Sequence, residues 1–289
     1  MPQSTPTKPV DVVAACLKRD LPLLSLAYKN LQRFTAIKQL HVVTPRRDFS
    51  HFENVLGRDI VLLDENEMIP GLTLAALKVI PLAKLSQGHG WYFQQLLKYQ
   101  FAFHKTEDDH YLIWDADTVP LRPLEFFDAQ GRMLLTKAGE YHAPYFMTYE
   151  KILGRPAQRE FSFIAQHMLI QKSILREMLG EIERNCPGDG NWAWKIMRNL
   201  CGEGSNRFSE YETYGHYLKE KHPQLAVFRE LPWLRHGASE CGRHPKPADL
   251  ERLGQKYFYA SFEESDQLYR RTGRKVRHWL RQVGKKFKR

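Results

Sequence analysis

The sequence predicts an α/β fold with a mixed, mostly parallel central sheet. Strand-like apolar runs at 10–16, 40–43 and 60–63 alternate with a helical pattern of apolar residues at 21–34. Alternation of this kind is typical of a parallel sheet with helices on its faces. With 289 residues, 43% of them hydrophobic, the chain is long enough to bury a sizeable core.

The same patterns predict the later elements in order. A helix over 91–103 precedes an apolar strand over 111–114. Further strands are predicted at 133–136, 168–171 and 225–230, and helices at 174–184, 192–200 and 210–220. Three segments are expected to lack regular structure: an acidic loop at 64–67, a glycine hinge at 88–90 and a Gly-, Pro- and His-rich loop at 237–247.

The positive charge is concentrated at one end of the chain. The net charge is +10, but the segment 270–289 holds ten Lys and Arg residues and no Asp or Glu. The rest of the chain therefore has 33 basic and 33 acidic residues. A basic surface over the whole body is not implied, so nucleic acid is not the expected partner.

The basic segment 270–289 also has a helical apolar pattern. Its apolar residues recur at helical spacing: Val276, Trp279, Leu280, Val283 and Phe287. This pattern predicts a basic amphipathic helix that attaches to an anionic membrane surface. A helix docked on the body or on a partner, a disordered tail and a phosphate-binding arm are the alternatives.

Other features predict a cytoplasmic protein, peripheral at the inner face of the plasma membrane. No apolar run approaches the roughly 20 residues that span a bilayer, and the first residues do not resemble a signal peptide. The four cysteines show no CxxC pair, so we expect reduced thiols.

Two carboxylates follow the predicted strand at 111–114. Asp115 and Asp117 are separated by one residue, and ligands of open α/β sheets bind at the carboxyl ends of the strands. Paired carboxylates repel each other unless a cation neutralises them, and Mg²⁺ and Mn²⁺ prefer such oxygen ligands. A solvated acidic turn is the alternative, and the preceding strand favours the metal site.

This strand and its Asp-x-Asp resemble the DxD motif of glycosyltransferases of the GT-A fold. Three further segments, QQLLK at 94–98, QHML at 166–169 and SEYETYG at 209–215, resemble in their order a bacterial family of uncharacterised GT-A-like glycosyltransferases. The resemblance implies a GT-A-like, Rossmann-type catalytic domain over 1–247. The segment 248–289 would then be a C-terminal extension.

The resemblance also implies a site for a nucleotide-sugar donor. Gln94, Gln95, Lys98, Asp115 and His167 are the candidate donor-binding residues. The alternative for the first three is an exposed polar helix face. A hydrogen-bonded core residue is the alternative for His167, which lies in an otherwise apolar run.

Two glutamates near the predicted helix at 210–220 are candidate catalytic groups. Ser209 is expected to cap this helix, with Glu212 as its capping-box partner. Glu210 is then the candidate general base of an inverting transfer, with Glu212 in reserve. In a retaining transfer Glu210 would only bind the acceptor.

A late histidine is the third candidate metal ligand. The resemblance implies that His236 completes the site of Asp115 and Asp117, with His244 as a less favoured choice. A surface loop histidine is the alternative.

The leading prediction is therefore a metal-dependent glycosyltransferase that uses Mn²⁺ or Mg²⁺. It would transfer a sugar from a nucleotide sugar to a hydroxyl of a lipid-linked bacterial surface glycan, such as lipopolysaccharide or capsule. The alternatives are a nucleotidyltransferase, or a non-catalytic membrane or nucleic-acid adaptor that acts through the basic tail.

Overall fold

The computed structural model of the protein describes residues 8–82, 87–203 and 206–264. The strands are β1 (Val10–Ala15), β2 (Ile37–Thr44), β3 (Ile60–Asp64), β4 (His110–Trp114), β5 (Thr118–Pro120), β6 (Met133–Thr136), β7 (His167–Gln171), β8 (Ala226–Arg229) and β9 (Tyr259–Ser261). The helices are α1 (Leu21–Phe34), α2 (Phe49–Leu56), α3 (Glu65–Met68), α4 (Leu74–Leu77), α5 (Gly88–Gln100), α6 (Ala143–Leu153), α7 (Lys172–Asn185), α8 (Trp192–Arg198), α9 (Glu210–Lys221), α10 (Gly237–Cys241) and α11 (Pro247–Gly254). Within this described part, no helix has both the length and the apolar character to cross a bilayer.

The chain divides into two compact units. The larger unit is formed by the described residues of 1–21, 36–116 and 125–230, and the smaller by those of 22–35, 117–124 and 231–289. The division into a catalytic domain over 1–247 and an extension over 248–289 stays a prediction. The predicted basic helix at 270–289 lies outside the described residues.

The central sheet of the larger unit has the order β3-β2-β1-β4-β7. The first four strands in this order run parallel, and β7 pairs antiparallel with β4. The predicted mixed, mostly parallel sheet is confirmed. Successive strands lead outward from β1 through β2 to β3, and β4 then returns to the other side of β1. The strand order therefore reverses between β1 and β4.

The sequence of β1 explains its central place. Val10–Ala15 is a nearly continuous apolar run, and all but its last residue are buried. Runs of this type are typical of parallel strands that are covered on both faces. Helix α5 packs against β1, and α7 packs against β7.

The segments expected to lack regular structure are largely helical. Residues 88–90 form the first turn of α5 rather than a hinge, and Gly88 enters it with φ +78°. The acidic segment forms α3, because the Asp64 carboxylate accepts from the Asn66 amide at 3.1 Å and caps it. Arg46 then pairs with Asp64 and Glu67 at 3.0 and 2.6 Å. Part of the predicted late loop is helical as well, as α10.

The smaller unit has its own apolar core. Strands β5 and β9 pair antiparallel, and α1, α10 and α11 contribute to the same cluster of buried residues. The buried members are Leu23, Ala27, Val119, Leu121, Ala238, Leu253, Ala260 and Phe262. This core includes residues on both sides of position 247.

Candidate active site

Asp115 lies at the point of the sheet where ligands of open α/β folds bind. It directly follows β4, and the strand order reverses between β4 and β1. Its backbone amide donates to the carbonyl of Gln166 at 3.0 Å. Gln166 has φ +62°, a left-handed conformation that is uncommon for a residue other than glycine. The backbone just before β7 therefore holds Asp115 at the end of β4.

A buried lysine binds the Asp115 carboxylate. Lys98, in the last turn of α5, places its Nζ 2.5 Å from Oδ1 of Asp115 and 2.9 Å from Oε1 of Glu210. The Lys98 side chain is 2% exposed and that of Glu210 5%, whereas that of Asp115 is 19% exposed. Asp115 is therefore the member of this cluster that a ligand can reach most directly.

Helix α9 supplies two consecutive residues to the same cluster. Glu210 is its first residue, and Tyr211 donates its hydroxyl to Oδ1 of Asp115 at 2.8 Å. The Lys98 ammonium lies 5.3 Å from the centre of the Tyr211 ring, within the range of a cation–π contact. The cluster of Lys98, Asp115, Glu210 and Tyr211 thus joins α5, β4 and α9.

The two carboxylates of the cluster stabilise the positive charge of Lys98. Burial lowers the pKa of Lys98, but the carboxylates of Asp115 and Glu210 outweigh it and raise that pKa above its ordinary value. Burial raises the pKa of Glu210, Lys98 lowers it, and Asp115 raises it, so the net direction is upward. The N-terminal end of α9 favours negative charge at Glu210. Lys98 is therefore a firmly protonated ammonium group.

Neutral groups fix the backbone around these charges. The Glu210 amide donates to Oε1 of Gln95 at 3.0 Å, and the Tyr99 hydroxyl donates to the Glu210 carbonyl at 2.5 Å. The Tyr111 hydroxyl donates to the Lys98 carbonyl at 2.9 Å. The first two bonds hold the start of α9 against α5, and the third holds α5 against β4.

The structure separates the three polar residues of QQLLK. Lys98 and Gln95 are buried, so the alternative of an exposed polar helix face is wrong for both. Gln95 binds the first amide of α9, whereas Gln94 donates to the carbonyl of Trp91 in its own helix at 3.1 Å. Lys98 binds the Asp115 carboxylate directly.

His167 is packed as a core residue. Its ring stacks on Trp114, with centroids 5.2 Å apart, and meets Phe126 edge to face. Its Nε2 lies 3.4 Å from the Thr136 hydroxyl. Burial, followed by the positive charge of Arg229, lowers the pKa of His167 to about 3. This packing matches the core alternative rather than an open contact with a donor sugar.

The Glu212 carboxylate binds residues outside its own helix. The predicted cap of α9 is confirmed, because Oγ of Ser209 accepts from the Glu212 amide at 3.3 Å. The Glu212 carboxylate accepts instead from Oγ of Ser162 at 2.5 Å and from the Phe163 amide at 3.1 Å. Nε2 of His216 lies 3.2 Å away from it. The capping-box role predicted for the Glu212 side chain is therefore wrong.

The two other candidate metal ligands belong to the smaller unit. The Phe262 amide donates to the Asp117 carbonyl at 2.9 Å, and His236 pairs with Phe262 in an antiparallel bridge. Phe262 thus links the backbones of Asp117 and His236. Among the described residues, no group of three or more His, Cys, Asp or Glu side chains is arranged to hold a metal ion.

Sequence reasoning missed the aromatic hydroxyls of the cluster. Tyr211 lies between the two glutamates that were singled out, yet only the glutamates were considered as site residues. Tyr99 is one residue after Lys98, and Tyr111 is the second residue of β4, the strand that leads to Asp115. The signal in the sequence was the position of these tyrosines next to or near the candidate charged residues.

Comparison with solved structures finds glycosyltransferases. The galactosyltransferase LgtC, in complex with donor and acceptor sugar analogues, is 14% identical with a TM-score of 0.45 over 88% of this chain and 87% of LgtC. Mouse xyloside xylosyltransferase 1 is 12% identical with a TM-score of 0.48, over 90% of this chain and 99% of that protein. GlyE of Streptococcus pneumoniae is 15% identical with a TM-score of 0.41, over 89% and 55%.

Sequence comparison identifies the family but not an activity. No curated protein matches the sequence. A family model does match residues 9–231, which include the sheet, Asp115 and the whole of α9. The chain therefore belongs to a family of unknown function, DUF6492.

Proposed function

We propose that this protein is a metal-dependent glycosyltransferase. It moves a sugar from a nucleotide-sugar donor to a hydroxyl of a lipid-linked bacterial surface glycan, such as lipopolysaccharide or capsule. The observation that carries the proposal is the position of Asp115. It follows β4 where the strand order reverses, and it is more exposed than Lys98 and Glu210, which surround it.

The chemistry of the candidate ligands fits a hard divalent cation. Asp115 and Asp117 offer carboxylate oxygens, which Mn²⁺ and Mg²⁺ prefer, and His236 would add an imidazole nitrogen. Phe262 joins the backbones of Asp117 and His236, so the two residues are near each other within the smaller unit. We propose these three residues as the ligands. When bound, the ion would neutralise charge on the leaving diphosphate.

We assign Glu210 to holding Lys98 rather than to deprotonating an acceptor. A general base must reach the acceptor proton, and the Glu210 carboxylate is buried against the Lys98 ammonium. Glu212 is equally buried and binds Ser162 and Phe163. We therefore propose neither glutamate as a general base. A retaining transfer, which needs no dedicated base, agrees best with this arrangement.

The acceptor side of the proposal includes the membrane. We propose that the basic segment 270–289 attaches the enzyme to the anionic inner face of the plasma membrane. Attachment would bring the enzyme to a lipid-linked acceptor on that surface, and each Lys or Arg near the leaflet contributes about 1 kcal/mol. This part of the proposal depends on the sequence pattern alone.

A thermal-shift screen of nucleotides and nucleotide sugars, with and without Mn²⁺, tests the proposed function. We expect stabilisation by one nucleoside diphosphate and its sugar, dependent on Mn²⁺. Asp115→Asn should abolish this shift, while Asp189→Asn, in an exposed loop, should leave it unchanged. A shift that survives Asp115→Asn, or no shift with any nucleotide, would contradict the proposal.

Product analysis separates the proposal from a nucleotidyltransferase. A glycosyltransferase releases a nucleoside diphosphate or monophosphate, whereas a nucleotidyltransferase releases pyrophosphate. Chromatography of the nucleotide products, together with a pyrophosphate assay on the same sample, distinguishes the two reactions. Pyrophosphate as the main product would favour the second.

A further inference from the structure

We propose that Lys98, held in place by Glu210, is a positioning residue that weakens and orients cation binding at Asp115. The inference rests on the proposed function, because it concerns the cation that Asp115 would hold. Its content is separate: Lys98 acts on the Asp115 carboxylate from inside the protein and makes no contact with the donor.

Two donors converge on one oxygen of Asp115. The Lys98 ammonium at 2.5 Å and the Tyr211 hydroxyl at 2.8 Å both bind Oδ1. Two hydrogen bonds to the same oxygen restrict rotation of the carboxylate about its Cβ–Cγ bond. The direction of Oδ2 is then set as well, because the carboxylate is planar. Lys98 and Tyr211 thus determine how Asp115 presents itself to a ligand.

Lys98 is itself fixed from the opposite side. Glu210 accepts from its ammonium at 2.9 Å, and the Tyr111 hydroxyl binds its backbone carbonyl at 2.9 Å. Its side chain is 2% exposed, so it cannot reach a donor phosphate without leaving this position. Moving it would leave the Glu210 carboxylate buried without its cation, which is costly.

A fixed ammonium beside Asp115 competes with a metal ion. Both are cations that lower their energy by approaching the same carboxylate, and they repel each other. Removal of the ammonium should therefore tighten metal binding, on the order of tenfold if a little over 1 kcal/mol of repulsion is relieved. A lysine that contacted the donor phosphates would instead leave the affinity for metal alone unchanged and weaken nucleotide binding.

Direct titration of the full-length protein with Mn²⁺, in the absence of nucleotide, tests the inference. Electron paramagnetic resonance of free Mn²⁺ gives the dissociation constant. We expect Lys98→Met to bind Mn²⁺ about tenfold more tightly than the wild type, and Lys98→Arg, which keeps the charge, to remain close to the wild type. Lys172→Met is the matched control, because Lys172 is the other buried lysine that we describe in the larger unit. Lys172 binds Thr106 rather than Asp115, so Lys172→Met should bind Mn²⁺ with the affinity of the wild type.

If Lys98→Met does not fold, a second pair of variants tests the same inference. Lys98→Met combined with Glu210→Gln removes both buried charges together, which proteins tolerate better than the loss of one. This double variant should bind Mn²⁺ more tightly than Glu210→Gln alone. Equal Mn²⁺ affinity with and without Lys98, in a wild type that does bind Mn²⁺, overturns the inference and leaves the proposed function standing. No Mn²⁺ binding by the wild type or any variant overturns the metal part of the proposed function and this inference with it.

Discussion

Substitution of His167 by Phe should remove a measurable part of the acid sensitivity of this fold. The His167 ring is 3% exposed and lies between Trp114 and Phe126. Burial and the charge of Arg229 lower its pKa from 6.5 to about 3. Phe keeps a ring in this position but cannot bind a proton.

The sign of the effect follows from the two pKa values of His167. Below about pH 6.5 the histidine of the unfolded chain binds a proton, while the folded protein keeps it neutral down to about pH 3. The folded state is therefore progressively destabilised as the pH falls through this window, and the effect is absent above it. Each pH unit is worth about 1.4 kcal/mol, so the loss due to His167 between pH 7 and pH 5 is about 2 kcal/mol.

Urea unfolding at pH 7 and pH 5 measures this loss. Burial also lowers the pKa values of His41, His104 and His110, so the wild type loses additional stability over the same range. The informative quantity is the difference between the wild type and His167→Phe, with His51→Gln at an exposed position as the control. The variant should lose about 2 kcal/mol less than the wild type, and the control should match the wild type. Equal losses in His167→Phe and the wild type would refute the reasoning.

Two further predictions concern the packing of α9. Gly215→Ala should lower the free energy of unfolding by about 1–3 kcal/mol, because its Cβ would lie 2.3 Å from the Phe163 ring. Gly180→Ala in α7 should raise the free energy of unfolding by about 0.5–1 kcal/mol, because its Cβ would meet only the flexible end of the Arg184 side chain, at 3.4 Å. Chemical denaturation compares the pair, and effects of the same sign would contradict the close approach. Lys98→Met should lower the free energy of unfolding by about 3–5 kcal/mol because it leaves the buried Glu210 carboxylate without its cation, and adding Glu210→Gln should recover part of this loss. A double-mutant cycle measures the recovery, and strictly additive losses would argue against the buried pair.

The sheet could be predicted from the sequence because its signal is local. Val10–Ala15 is buried on both faces, so its apolar run is visible without knowledge of its neighbours. Asp115 was found for the same reason, since it directly follows the apolar strand β4. The helical turn at 88–90 was missed, because glycines favour a hinge in isolation and the packing of α5 overrides that preference.

The partners within the site could not be predicted, because they are distant in sequence. Lys98 and Glu210 are 112 residues apart, and each alone is typical of an exposed helix. The Glu212 carboxylate was assigned to its own helix end, but it binds residues 49 and 50 positions earlier, at Phe163 and Ser162. Capping patterns describe neighbours along the chain and carry no information about such contacts.

The geometry of α9 explains why three consecutive polar residues of this helix are all engaged. Successive residues of an α-helix point about 100° apart, so three in a row cover most of its circumference. Glu210 faces Lys98 on α5, Tyr211 faces Asp115 at the end of β4, and Glu212 faces the segment before β7. A helix that directs three polar groups to three elements must be enclosed on nearly all sides, which agrees with the burial of residues 210–218. A substitution at any one of the three should therefore disturb the position of the other two, and the Asp115 carboxylate depends on α9 as much as on its own strand.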